Sequence, residues 1–424
     1  MSGQKPRAIA VRLLQRRPGG PFIEHLLETA LARTRLLPAD RHLCQELVYG
    51  IVRWQATLDW LIARKTQNRT QHPLLQNLLR LGLYQVFWLD RIPNHAAVYE
   101  TVELARRNGL GPQAAFVNAL LRGYLRQFDA TRQLLAQLKV TQPHLGYSHP
   151  DWLAARWRNR WGADRAAQLM EWNNTTPGTF ARLNTLKADP AMLLARWRQE
   201  DVQYEPVCRD WVEENRVFEL KSHPPLARLP SFQQGLFYVQ DPSTLLAPQE
   251  LAPQPGETVL DLCAAPGGKL SCLAQLMRNQ GRLVAHDTAP ERLKLIRENC
   301  ARLGITCVTL EPRPATLGAF DRILVDAPCS DTGVLRRRVD LRWRIRPEAI
   351  ARQRTAQLAL LRQAAPLLRP GGQLVYSTCS LEPEENQEVV RQFLEGHPGL
   401  KLERQRELLP FADHVDGAYV ARIN

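Results

Sequence analysis

Two short segments carry the residues best suited to chemistry. Asp326-Ala-Pro-Cys-Ser330 and Ser377-Thr-Cys-Ser380 each close an apolar run, Ile323-Leu-Val-Asp326 and Gln373-Leu-Val-Tyr-Ser377. Each thiol should therefore sit in a tight polar turn at the end of a strand. A lone cysteine is ordinarily a small core residue. Two thiols at strand ends, one segment opening on a carboxylate, suit nucleophilic work instead. A thiolate can add to carbon 6 of a cytosine ring and turn carbon 5 into an enamine carbon able to attack an activated methyl group. A base must then remove the carbon 5 proton so that the thiolate can leave. This chemistry wants one nucleophilic thiol, one acid near the base edge and one group assisting elimination. Cys379, Asp326 and Cys329 are candidates for these roles, and spacing alone leaves open which thiol attacks. Residues 382–390 read as a helix with Glu384 and Glu385 in its first turn. A helix N-terminus after Cys379 would lower the thiol pKa, and the two acids would oppose it.

A third segment, Asp261-Leu-Cys-Ala-Ala-Pro-Gly-Gly-Lys269, follows the run Val259-Leu-Asp-Leu262 and opens a helical stretch. Its small residues and paired glycines let the backbone approach a ligand closely. Asp287 ends the next apolar run, 19 residues beyond Gly268. An acid at that distance can accept hydrogen bonds from both ribose hydroxyls. The segment is not G-x-G-x-x-G, and Lys269 is followed by leucine rather than Ser or Thr. A nucleoside cofactor fits it better than a nucleoside triphosphate.

The elements that must position these groups follow from periodicity. Four apolar runs, at Val259–Leu262, Arg282–His286, Ile323–Asp326 and Gln373–Ser377, alternate with helical stretches. That pattern predicts a doubly wound parallel sheet, with ligands at the carboxyl ends of its strands. One intervening helix carries Leu293, Ile296, Cys300 and Leu303 on one face, and Gly304 is placed to cap it. Residues 6–127 read as helices throughout. Phe22, Ile23, Leu26, Leu27, Ala30 and Leu31 keep helical spacing, as do Leu75, Leu78, Leu79 and Tyr84. Residues 128–250 are mixed and rich in tryptophan. The expected division is an all-helical domain at 1–130, a small α+β domain at 131–240, and an α/β domain at 241–424.

Charge narrows the class of partner. The 424-residue chain has 56 Lys and Arg against 42 Asp and Glu, a formal net charge of +14. Residues 1–130 hold 18 basic and 9 acidic side chains, so +9 of that excess lies there. Such a balance points to a polyanion, nucleic acid first. A second cluster, Leu335-Arg-Arg-Arg-Val-Asp-Leu-Arg-Trp-Arg-Ile-Arg346, interleaves arginine with Trp343. It suggests phosphate contacts beside a stacking surface. The eight cysteines include no C-x-x-C pair and no Cys/His set at metal-ligand spacing, so no metal is expected. No signal-peptide pattern and no run of 18 apolar residues is present, so the expected setting is the reducing cytoplasm.

The three segments together resemble the signature loops of RNA 5-methylcytosine methyltransferases. The resemblance implies a Rossmann-like domain that binds S-adenosylmethionine. It implies that Cys379 is the nucleophile and that Cys329 assists product release. Cys263, Ala264, Ala265, Pro266, Gly267, Gly268, Lys269 and Asp287 would then hold the cofactor. Asp326 would contact both cofactor and base, with Lys269 beside it in the catalytic group. Glu311 is the candidate for the acid near the adenine, although Pro312 follows it. Arg182-Leu-Asn184, Gly235-Leu-Phe-Tyr-Val-Gln-Asp241 and Asp416-Gly417 are similar to flanking motifs of the same family. Arg41-His-Leu-Cys-Gln-Glu-Leu-Val-Tyr-Gly-Ile-Val-Arg53 resembles part of a NusB-like RNA-binding domain. That combination is the layout of the bacterial branch that methylates 16S rRNA, expected to be monomeric. The chain departs from the pattern at Asp331, where Gly or Ala is usual, and at Arg338-Val339, where His-Pro is common. Alternatives are a tRNA cytosine-5 methyltransferase and a catalytically silent RNA-binding assembly factor; the intact Cys379, Cys329 and Asp326 speak against the latter.

Overall fold

The computed structural model describes residues 6–311 and 319–424. It forms two compact units. One comprises the chain up to Thr175 together with Leu335–Arg344; the other comprises Thr176–Val334 and Ile345–Asn424.

The first unit is helical, as its periodicity predicts. Helix Ile23–Ala32 buries Ile23, Leu26, Leu27 and Leu31. Helix Pro73–Trp88 buries Leu74, Leu75, Leu78, Leu79, Leu81, Leu83, Tyr84 and Val86, more than one stripe, so it runs through the middle of the core. Helix Pro38–Arg53 approaches it closely at Gly50. A Cβ there would lie 2.0 Å from the Tyr84 ring, so only glycine lets that ring in. Proline stands at the first turn of both helices, where its missing N–H is harmless.

The segment Leu335–Arg344 belongs to this core. Val339 is buried among the helices. Arg342 is fully buried. It donates to the carbonyls of Arg53 at 3.1 Å, Ser148 at 3.0 Å and Asn173 at 2.8 Å, and to Asn174 Oδ1 at 2.8 Å. The Trp343 indole donates to the Val52 carbonyl at 2.7 Å. Asp340 accepts from Arg17 Nε at 2.6 Å, the Ile23 amide at 2.8 Å and Arg344 Nη2 at 2.8 Å. For Arg342 and Trp343 the expected phosphate-binding and stacking role is thus corrected. The aromatic and the central arginine are spent on backbone carbonyls inside the helical unit. Their spacing could not distinguish the two outcomes, because a guanidinium finds acceptors in a helix end as readily as in a phosphate.

The second unit holds two sheets. The smaller is antiparallel: β1 (Thr179–Leu183), β2 (Gln203–Pro206), β3 (Val217–Ser222) and β4 (Phe237–Val239), in the order β2-β3-β1-β4. The larger contains β5 (Thr258–Asp261), β6 (Arg282–Ala285), β7 (Val308–Leu310), β8 (Phe320–Asp326), β9 (Leu368–Thr378), β10 (Leu402–Leu408) and β11 (Ala418–Ile423). Its order is β10-β11-β9-β8-β5-β6-β7. Strands β5 to β9 are parallel; β5, β6, β8 and β9 are the four predicted runs, while the short β7 and the antiparallel edge of β11 and β10 are additions to them.

Period-two alternation explains why these runs are apolar throughout. Val259, Leu283, Leu324 and Val375 face one layer, with Leu270, Leu273, Met277 and Ile296. Leu260, Val284, Ile323, Val325, Leu374 and Tyr376 face the other, with Leu358, Leu361, Val389 and Phe393. Strands covered on both faces have no polar side to show. Helix Pro290–Leu303 ends on Gly304 at φ 71°, the expected left-handed cap. Pro370-Gly-Gly372 lies within β9, where the pairing with β8 shifts register.

Candidate active site

All three motif loops leave the carboxyl ends of β5, β8 and β9, which are neighbours in the sheet. The order reverses between β8-β5 and β5-β6, and a crevice is expected at such a switch point.

The glycine-rich loop runs from Asp261 to helix Gly268–Leu276. Gly267 has φ 104°, a conformation that a side chain would strain. Asp287 is buried past the end of β6. Its carboxylate accepts from the Ala265 amide at 3.3 Å and the Ala289 amide at 3.2 Å, with Arg292 Nη1 at 3.4 Å. Glu311 follows β7; its amide donates to the Ala285 carbonyl at 3.0 Å and its carbonyl meets His286 Nδ1 at 2.9 Å. Cys263 lies within this loop, and burial pushes its thiol up.

Asp261 received no role from the sequence. It is fully buried, and neither carboxylate oxygen closes a full hydrogen bond, although the Cys263 amide faces it. Burial, then the nearby Asp326, raise its carboxyl pKa to about 8. A buried carboxylate left this way is a place for a ligand donor. The signal was available: an acid closing an apolar strand that is covered on both faces.

Asp326 closes β8 and is gripped from two sides. Lys269 Nζ lies 2.6 Å from Oδ2, and Ser377 Oγ donates to Oδ1 at 2.7 Å. Burial works against the Lys269 charge, but Asp326 outweighs it and holds the amine above its ordinary value. Lys269 thus fixes the carboxylate that the sequence had placed near the base.

The two thiols converge. Cys329 Sγ and Cys379 Sγ are 3.2 Å apart. Asp331 Oδ1 accepts from Cys379 at 2.8 Å and from Cys329 at 3.5 Å. The Cys379 thiol is pushed well above its ordinary value by its bond to Cys329, by burial and by Asp331. For Cys329 the bond to Cys379 pulls downward, but burial, Asp331 and Glu385 together win and raise it. The expected helix N-terminus is displaced: a 3-10 turn spans Pro383–Glu385 and the helix starts only at Gln387. Among the described residues Cys329, Asp331 and Cys379 also form the one group whose donor atoms, within 4.8 Å of one another, could ligate a metal. Linear spacing had shown no such set.

A buried carboxylate ties the thiol loops together. Glu385 accepts from the Ser330 amide at 2.8 Å, Gln357 Nε2 at 3.1 Å, Ser380 Oγ at 2.5 Å and Ser330 Oγ. Ser330 follows Cys329 and Ser380 follows Cys379. A further loop, just before β11, enters at Gly417, whose amide donates to the Gly333 carbonyl at 2.9 Å, while the Gly333 amide donates to the Cys379 carbonyl at 2.9 Å. A Cβ on Gly333 would fall 2.6 Å from that carbonyl oxygen.

The flanking motifs are structural. Arg182 Nη2 donates to Ser271 Oγ at 2.6 Å and Nη1 to Gln275 Oε1 at 3.0 Å, so β1 braces the helix behind the glycine loop. Asn184 Nδ2 donates to the Gly235 carbonyl at 2.7 Å and the Leu303 carbonyl at 2.8 Å. Asp241 Oδ1 accepts from the Ser243 amide at 3.0 Å and the Asp416 amide at 3.2 Å.

Comparison with known proteins gives the same three parts. Residues 248–424 match the family described as 16S rRNA methyltransferase RsmB/F. Residues 4–126 match the NusB family, and residues 149–212 the ferredoxin-like domain of RsmF/B-like methyltransferases. A probable ribosomal RNA small subunit methyltransferase B of Bacillus subtilis is 38% identical over 386 residues, covering 88% of this chain and 84% of that protein. The chain belongs to this family of rRNA methyltransferases. A probable methyltransferase B of Synechocystis is 36% identical and covers 95% of both chains. Among solved structures, a methyltransferase homolog from Pyrococcus horikoshii is 33% identical with a TM-score of 0.58, covering 66% of this chain and 96% of that one. PH0851 aligns over 100% of this chain and 99% of its own at a TM-score of 0.78 and 26% identity. The Rossmann-like domain of this methyltransferase, behind a NusB-like domain and a ferredoxin-like one, is the fold class the sequence predicts. No helix among the described residues is long and apolar enough to cross a membrane.

Proposed function

We propose that this methyltransferase transfers a methyl group from S-adenosylmethionine to carbon 5 of a cytosine in 16S rRNA, through a covalent Cys379–cytosine adduct. The reading rests most on the two thiols, 3.2 Å apart at the ends of adjacent strands β8 and β9. The loop residues fit the cofactor. Asp261 offers a buried carboxylate without a full protein hydrogen bond, and Gly267 leaves backbone open to a ligand. Cys263 to Lys269, Asp287 and Glu311 would hold it, and Asp326 would face both cofactor and base. When bound, it supplies an electrophilic methyl group.

The remaining chemistry belongs to the chain. Cys379 adds to carbon 6 of the cytosine. Asp326, steadied by Lys269 and Ser377, faces the base edge and, in its acid form, donates its proton to ring nitrogen 3 and favours that addition. Cys329 assists loss of the carbon 5 proton, after which the carbon 6–sulfur bond breaks and Cys379 is released. The NusB-like unit supplies RNA affinity, with the division at 1–130, 131–240 and 241–424. The setting is the cytoplasm, the chain acting as a monomer without a metal.

The test is a pair of variants on 16S rRNA transcripts. Cys379→Ala should abolish methylation while still binding S-adenosylhomocysteine. Cys329→Ala should accumulate a covalent protein–RNA species, seen as a slow band on a denaturing gel. Turnover by Cys379→Ala would refute the adduct.

A further inference from the structure

We propose that Asp331 is a catalytic residue, the general base that takes the Cys379 proton as the sulfur adds to the cytosine. The assignment rests on the covalent reading above and adds a step to it. Nothing in the resemblance assigns a role to this position, where the usual residue has no carboxylate.

Three observations carry it. The first is contact: Asp331 Oδ1 is 2.8 Å from Cys379 Sγ, in the geometry of a thiol donating to a carboxylate. The second is the backbone. Asp331 has φ 57°, the left-handed region that disfavours side chains by about 1 kcal/mol. An acid occupies a position that glycine would fill more easily, and its side chain reaches the reacting sulfur. The third is the state of the other acids. Asp326 is gripped by Lys269 and Ser377, and Glu385 by Ser330, Ser380 and Gln357. Among the described residues, Asp331 carries the one carboxylate hydrogen-bonded to Cys379.

The electrostatics explain why a base is needed. Cys329, burial and Asp331 all disfavour a resting thiolate at Cys379. A neutral thiol is a weak nucleophile, so its proton must leave as the new bond forms. The Sγ–H proton passes to Asp331 Oδ1, and the freed sulfur pair forms the bond to carbon 6. The carbon 5–carbon 6 π pair is then available at carbon 5. On elimination, carbon 5 gives its proton, with help from Cys329, to water. Its electron pair restores the double bond, the carbon 6–sulfur pair returns to sulfur, and Asp331 hands its proton back to Cys379. Negative charge on the sulfur and on the carboxylate need never coexist.

The experiment compares Asp331→Asn and Asp331→Gly in the full chain. Methyl transfer to 16S rRNA transcripts is measured from about pH 6 to 9.5, with S-adenosylhomocysteine affinity as the check on folding. Removing a general base typically lowers rate by about 10²–10⁴-fold. Both variants should fall in that range at neutral pH with cofactor affinity unchanged, and both should recover as rising pH ionises the thiol directly. Asp331→Gly relieves the backbone strain, so an equal loss in both variants assigns the effect to the carboxylate. Wild-type rates and pH profiles in both, beside an inactive Cys379→Ala, would overturn the base and spare the nucleophile. Activity in Cys379→Ala would remove the thiol chemistry itself and the base with it.

Discussion

Two stretches of this chain join β8 to β9 in immediate succession, yet they use charge in opposite ways. The turn from Asp326 to Asp331 collects two thiols and two carboxylates in a crevice at the strand ends. The next stretch, Leu335–Arg344, drives its charges into the helical unit and meets backbone carbonyls there. In the first stretch the two carboxylates accept from a lysine, a serine hydroxyl and the two sulfurs. In the second, Arg342 has no carboxylate partner among the described residues, and burial with nearby Arg53 pushes its pKa well below the ordinary value. The contrast teaches that acids at strand ends mark chemistry when they meet thiols and a lysine, and that an arginine–tryptophan pattern marks architecture when its donors are taken up inside a helical unit.

The largest effect should come from breaking the architectural half. Arg342→Met would leave three carbonyls and the Asn174 amide oxygen without their buried donor. Orphaning such a network costs on the order of 3–5 kcal/mol. Urea denaturation followed by tryptophan fluorescence should show the helical unit destabilised by that much. Should stability hold while the salt dependence of RNA binding weakens by about one counterion, Arg342 is a phosphate contact after all.

The same contrast explains what could be read from the sequence. The parallel strands were legible because both faces of β5, β6, β8 and β9 are covered, leaving uninterrupted apolar runs. The convergence of Cys329 and Cys379 was legible because strand ends in such a sheet share one edge. The fate of Arg342 and Trp343 was not, since burial of a charge depends on acceptors brought from residues 53, 148, 173 and 174, distant in the chain. Nor was Glu385 legible. The sequence places it in the first turn of a helix, but the 3-10 turn at Pro383–Glu385 brings it onto Ser330 and Ser380. The edge strand β10 escaped for a simpler reason: the exposed, charged Leu402–Leu408 has no apolar alternation to reveal it.

The chemical half can be sharpened through Glu385. This carboxylate accepts four donors, two on each oxygen, from the residues that follow both thiols and from Gln357. Glu385→Ala should let the thiol loops drift apart, and misplacement by about 1 Å can lower rate by about 10²-fold. We expect that loss in kcat, with cofactor affinity unchanged. Glu385→Gln should retain much of the activity, because the two serine hydroxyls can turn and accept from the amide. It should also shift the pH profile downward, since the buried charge that raises the Cys329 pKa is gone. Equal losses in both variants would mean that the charge, not the reach of the side chain, holds the loops.

The smallest effect lies back in the helical unit, where Arg342 has a titrating neighbour. His149 is buried, its Nδ1 meets the Tyr147 carbonyl at 2.8 Å, and its ring stacks edge-on with Trp157 at 5.7 Å. Burial first, then the Arg342 charge, hold its pKa well below 6.5. The folded unit therefore keeps this ring neutral, while the unfolded chain protonates it near 6.5. Its contribution to stability is complete above that value and is lost as pH falls toward the folded pKa. One such group gives a slope of at most about 1.4 kcal/mol per pH unit. Denaturation midpoints measured between about pH 7 and 5 should fall in the wild type, and fall less steeply in His149→Gln. Identical slopes would place the acid sensitivity of the unit elsewhere and leave Arg342 without an electrostatic hold on its neighbour.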